Sequence, residues 1–186
     1  MNVYDFDKTI YDGDSTIDFY IYCLRMHPTI VCRMPSMLFG AVKYKNGKIG
    51  KEELKESFFS FLKKIENVDN DINGFWDKNQ IKIKAWYKEQ QKEDDIIISA
   101  SPDFLLKPIC ERMNIHCLIA SDIDKCTGRF NGWNCYGEEK VRRFKEMYDS
   151  EDVEQFYTDS TSDAPMAKLA RNAYIVKKNT IRRWIV

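Results

Sequence analysis

The feature that most restricts the fold is a gap between strands. A strand-like apolar run, NVYDFD (residues 2–7), is separated from the next, IIISAS (96–101), by about eighty residues with no convincing strand. Three further runs follow at closer spacing: IHCLIAS (115–121), EQFYTDS (154–160) and NAYIVKK (172–178). Helical patterns lie between most of these runs. SPDFLLKPICERM has serine at an N-cap position and proline at the first helical position. GEEKVRRFKEMY places Val141, Phe144 and Tyr148 on one stripe, and SDAPMAKLA groups Met166, Leu169 and Ala170. Strands alternating with helices predict an α/β chain with a parallel sheet covered on both faces.

The gap itself reads as helical. Ile17, Tyr20, Ile21 and Leu24 follow the i, i+3, i+4, i+7 pattern, as do Phe58, Phe61, Leu62 and Ile65. Ile83, Trp86 and Tyr87 mark a further helix, and KNGKIGKEE (45–53) a turn between helices. The expected division is a core of residues 1–13 and 93–186 with a helical insertion at 14–92. MPSMLFGAV (34–42) is far shorter than the roughly 20 residues that span a bilayer, and is expected as a buried helix or loop. KCTGRFNGWNCYG (125–137) predicts a small β-hairpin.

Charge and cysteine usage narrow the function classes. Lys plus Arg and Asp plus Glu are 29 each, so the formal net charge is zero and a general nucleic-acid binder is not expected. Six cysteines show no C-x-x-C spacing, and His27 and His116 are the only histidines, which argues against a zinc site. Reduced, buried thiols are the expectation. With no basic, apolar leader and no integral membrane segment in the sequence, a cytoplasmic protein is expected.

The acids at the strand ends carry the chemistry. In an open parallel sheet, ligands sit beyond the carboxyl ends of the strands. Those ends carry Asp5 and Asp7, Ser99, and Asp159 with Asp163 close behind, while Lys140 lies near a helix start. Four gathered carboxylates raise one another's pKa unless a cation compensates them. Mg²⁺ takes oxygen ligands, usually one or two carboxylates, and completes its shell with waters and substrate phosphate. A carboxylate beside such a cation can attack phosphorus, and a second can protonate the leaving oxygen and later deprotonate water. Loop amides, Thr9 and Ser99 are candidate holders of phosphoryl oxygens, and the helix start at SASPD adds amides that favour an anion.

These segments resemble the four motifs of haloacid dehalogenase-type phosphohydrolases. DFDKT (5–9) is similar to their D-x-D-x-T, and IIISAS to the apolar strand ending in serine or threonine. GEEKV supplies the motif lysine, and DSTSDAPM (159–166) the acidic fourth motif. With a helical insertion directly after the first motif, the order resembles the phosphoserine phosphatase-like branch with a C1-type cap. The resemblance implies a Rossmann-like core, an inserted α-helical cap and Mg²⁺-dependent hydrolysis of a small phosphorylated substrate. It implies Asp5 as nucleophile and Asp7 as general acid and base. The metal would be held by Asp5, Asp159 and the Asp7 carbonyl, with Asp163 supporting its waters. Ser99 and Lys140 would hold the phosphoryl group, with Ser101 read either as a further contact or as a helix cap. Thr158 departs from the pattern, since many relatives have glycine there.

Selectivity is less legible. Asp14 lies where phosphoserine phosphatases have a glutamate for the substrate's amino group. Those enzymes also use a cap arginine, and no arginine occurs from residue 34 to 111. Phosphoserine phosphatase proper and a lipid head-group phosphatase remain alternatives, as does an aspartate-phosphorylated receiver domain. A receiver has no helical insertion after its first strand. Phe58, Phe59, Phe61, Trp76 and Trp86 read as cap core. Oligomeric state is not encoded in any pattern above.

Overall fold

A computed structural model describes residues 1–149 and 152–186. Six strands form one sheet in the order β3-β2-β1-β4-β5-β6. They are β1 (Asn2–Tyr4), β2 (Ile96–Pro102), β3 (Cys117–Ser121), β4 (Gln155–Thr158), β5 (Asn172–Lys177) and β6 (Thr180–Trp184). The five anticipated strands pair in parallel, whereas β6 returns antiparallel to β5. Because β1 lies between β2 and β4, the residues that leave its end emerge mid-sheet.

Alternation along the strands divides the core. Val3, Ile96, Ile98 and Phe156 join Phe144 and Met166 on one face. Tyr4, Ile97 and Tyr157 point to the other face, where they meet Leu105, Leu106 and Ile109. Register places Tyr4 opposite Tyr157 and Tyr157 opposite Tyr174. Their rings stack across three strands at 4.9 Å and 4.8 Å. Three helices follow the sheet strands: α6 (Asp103–Arg112), α7 (Glu138–Met147) and the short α8 (Ala164–Ala167).

The insertion contains α1 (Ser15–Met26), α2 (Met34–Lys45), α3 (Lys51–Phe59), α4 (Val68–Asn79) and α5 (Ala85–Gln90). Its aromatic core is continuous with one face of the sheet. Trp76 packs edge-on to Phe6 and Tyr11 and donates its indole N–H to the Leu105 carbonyl at 2.7 Å. Tyr87 meets Tyr4 edge-on at 4.9 Å.

Several local expectations are corrected. In α1 the fully buried positions are Ser15, Phe19 and Cys23, while Ile17 and Ile21 are exposed. Segment 34–42 is a helix, but it is not buried. Its one buried residue is Gly40, packed where a Cβ would collide with Ser57, and Leu38, Phe39 and Val42 face solvent. The hairpin expected at 125–137 reduces to one bridge, Ile123 with Phe130. Cys23, Cys110 and Cys135 are buried as expected, whereas Cys32 and Cys126 are exposed; all six thiols are free. Among the described residues no helix is long and apolar enough to cross a membrane.

Candidate active site

The turn after β1 builds the floor of the site. The Asp5 amide donates to the Tyr157 carbonyl at 2.8 Å, the last tie to the sheet before the chain curls back. Ile10 and Tyr11 both donate to the Phe6 carbonyl at 3.0 Å, and Lys8 N–H reaches Gly13 O at 2.8 Å. Lys8 takes a left-handed backbone, φ 59°, to close this turn. Asp5 and Asp7 thereby stand at the carboxyl end of the central strand, against a cavity of about 620 Å³.

Lys140 is the hub of the buried charges. Only 2% exposed, its ammonium donates to Asp5 Oδ1 at 2.8 Å and to Asp163 Oδ2 at 2.9 Å. Burial alone would lower its pKa, but the two carboxylates outweigh that and push it up. Asp5 is pushed up to about 7, by burial first, with Asp163 and Asp7 adding repulsion and Lys140 opposing. The single ammonium thus leaves the Asp5 charge incompletely compensated.

Asp7 is held differently. Its Oδ1 accepts the Ser15 amide at 2.6 Å, and its Oδ2 accepts the Ser101 hydroxyl. Burial raises its carboxyl to about 6, Asp14 adds to that, and the serine hydrogen bonds oppose it. Ser101 belongs to β2, and Pro102 is the N-cap of α6, so the helix-cap reading of Ser101 is corrected. Ser99 lines the cavity, and its hydroxyl accepts the Ser101 amide at 3.1 Å.

The other anticipated residues take distinct places. Thr9 is fully buried and donates to Asp5 Oδ2 at 3.3 Å; its side chain lies behind the nucleophile candidate and does not line the cavity. Asp14 lines the cavity and caps α1, accepting the Ile17 amide at 3.1 Å. Asp159 lines the cavity too; burial raises its pKa, against the pull of Lys8 and Lys177. Thr158 is buried and does not narrow the cavity. Its hydroxyl donates to Asp163 Oδ2 at 2.7 Å.

Sequence reasoning missed Lys55. From α3 it crosses to the sheet, donating to the Ala100 carbonyl at 2.9 Å and to Asn134 Oδ1 at 2.7 Å. Burial, with Lys51 beside it, lowers its pKa to about 8. In KEELKESFF a lysine reads as part of a solvated helix face, so no local signal marks it. Phe58 and Phe59, expected as core, also form part of the cavity wall, together with Met37, Ala41 and Leu54.

The donor chemistry fits a hard cation. Among the described residues no three Asp, Glu, His or Cys side chains form a ready-made cage. Asp5 and Asp159 nevertheless line one cavity, and Mg²⁺ usually takes one or two carboxylates while keeping waters or phosphate oxygens. The undercompensated charge on buried Asp5 is what such an ion relieves.

Residues 3–168 match the family model of the haloacid dehalogenase-like hydrolases. No curated protein is significantly similar in sequence. Among solved structures, the chain is similar to a Bordetella pertussis Tohama I protein of unknown function, with TM-score 0.73, 18% identity, and 93% of this chain and 87% of that one covered. A phosphoserine phosphohydrolase-like protein from Francisella tularensis subsp. tularensis SCHU S4 gives TM-score 0.55 and 16% identity, covering 93% and 86%. A probable phosphoserine phosphatase from Vibrio cholerae gives 0.59 and 11%, covering 92% and 55%. These likenesses establish a shared fold.

Proposed function

Because the chain belongs to the haloacid dehalogenase-like hydrolase family, we propose that it is a Mg²⁺-dependent phosphatase that forms an aspartyl-phosphate on Asp5 and acts on a small phosphorylated molecule. One observation carries this reading. Asp5 and Asp7 flank the same cavity in different settings, Asp5 tied to an ammonium and Asp7 to a hydroxyl and an amide. Two carboxyls with different surroundings suit two roles, nucleophile and proton carrier.

The Asp5 and Asp159 carboxylates and the Asp7 carbonyl would hold Mg²⁺, with Asp163 supporting its waters. Bound there, the ion supplies positive charge to the phosphoryl oxygens. Lys140 favours the ionised form of Asp5, the cation would supply the compensation the ammonium leaves short, and Lys140 binds a phosphoryl oxygen with Ser99 beside it. Thr9 orients Asp5 from behind. Asp5 attacks phosphorus as Asp7, protonated, gives its proton to the departing oxygen. Asp7, now a carboxylate, takes a proton from water, which attacks phosphorus and releases phosphate and Asp5.

Residues 14–92 act as the cap over a core of 1–13 and 93–186, and the cavity-lining residues of α1–α3 select the leaving group. Phosphoserine itself is disfavoured, since the insertion carries no arginine after Arg33. The cap presents Lys51 and Lys55 instead, beside apolar Met37, Leu54 and Phe58. An aspartate-phosphorylated receiver is disfavoured by the insertion and by Asp7.

The test is turnover of an aryl phosphate. Asp5→Asn is expected to abolish it with an unchanged circular dichroism spectrum, and chelation to abolish it until Mg²⁺ is restored. Full activity in the variant, or under chelation, contradicts the reading.

A further inference from the structure

The solvent side of α2 is apolar. At 100° per residue Met34, Leu38 and Val42 form one row, with Pro35 and Phe39 alongside. Leu38 is 63% exposed and Phe39 61%, and Val31, just before the helix, is exposed as well. Single exposed apolar residues are ordinary, but a contiguous row marks an interaction surface.

Charge identifies the partner. From Phe19 to Gly50 there is no Asp or Glu, while Arg25, Arg33, Lys43, Lys45 and Lys48 all fall in that stretch of a chain whose net charge is zero. The Lys43 ammonium lies 4.6 Å from the Phe39 ring centroid, so positive charge flanks the apolar row directly. A second copy docking through the same face would set these cations against one another. An anionic lipid surface instead accepts both features, with apolar side chains at the acyl boundary and lysines among the headgroups. At 12 residues α2 lies in such an interface and cannot cross it.

We propose that the exposed face of α2 docks on a bilayer surface rich in anionic lipid. Met37 and Ala41 of the same helix line the cavity, so docking sets one cavity wall beside the lipid. The docking is independent of the phosphatase reading, and its readout requires no turnover.

The experiment is flotation of the full chain with phosphatidylcholine vesicles, with and without phosphatidylglycerol, at low and high salt. Binding is expected only with phosphatidylglycerol and to weaken with salt. Leu38→Ser with Phe39→Ser, and separately Lys45→Glu with Lys48→Glu, are each expected to lower the partition coefficient about tenfold or more. Both double variants should keep the parent's thermal midpoint and its aryl phosphatase rate, whatever that rate is. No binding by the parent, or equal binding by variants and parent, overturns the proposal. So does a parent dimer that Leu38→Ser with Phe39→Ser converts to monomer, since a second copy then covers the face.

Discussion

The Thr158 hydroxyl and the Lys140 ammonium converge on the same oxygen, Oδ2 of Asp163, at 2.7 Å and 2.9 Å. Asp163 is therefore fixed from two sides, one neutral and one charged, and holds Lys140 against Asp5. A hydrogen bond to a charged group is worth about 1.5–3 kcal/mol. Thr158→Val is expected to lower kcat by about tenfold, the smaller end of that range, while Thr158→Ser retains the parent value. Steady-state kinetics on both variants checks it, and an unchanged kcat in Thr158→Val contradicts the positioning role.

The Ser101 hydroxyl favours the ionised form of Asp7, whose carboxyl stands near 6. The proposed acid must be protonated to serve the leaving oxygen, so kcat/KM for an alkyl phosphate should fall as pH rises through that value. Ser101→Ala removes a stabiliser of the carboxylate and should move this alkaline limb upward. A limb that stays in place, or moves down, contradicts the assignment of Asp7.

Asp95 tests the electrostatics away from the site. Its Oδ2 accepts the Lys92 amide at 2.9 Å, but its Oδ1 is buried without a partner. Burial raises the carboxyl from 3.8 to about 6, against the Lys92 hydrogen bond and with Asp94 adding repulsion. The folded state thus binds the proton more tightly. The stability this contributes is present below the unfolded value, 3.8, and lost as pH rises through about 6. Asp95→Asn should therefore gain up to about 3 kcal/mol over the parent at neutral pH and little near pH 4. Urea unfolding at the two pH values decides it, and a variant less stable at neutral pH contradicts the account.

Much of this was legible in the sequence because it lies where strands end. Asp5, Asp7, Ser99 and Asp159 follow apolar runs, and the parallel sheet brings those ends to one cavity. What stayed hidden depends on tertiary contacts. Ser101 precedes a proline and looks like a helix cap, yet the strand continues through it and aims its hydroxyl at Asp7. In α1 the stripe through Ile17 and Ile21 satisfies the helical period, but packing against Phe61 and Phe75 selects the neighbouring face with Phe19. β6 escaped because TIRRW, at the sheet edge, has no continuous apolar face and pairs through its backbone. The apolar run 34–42 suggested burial, but it is Gly40 that packs against Ser57 of α3, and Leu38, Phe39 and Val42 are left to solvent.

The central claim is that Asp5 carries the phosphoryl group. Quenching the enzyme during turnover with borohydride reduces an aspartyl-phosphate to homoserine, which peptide mass spectrometry locates. The account predicts homoserine at position 5, only when both substrate and Mg²⁺ are present. Steady turnover with Asp5 left intact, or homoserine at another carboxylate, would contradict it.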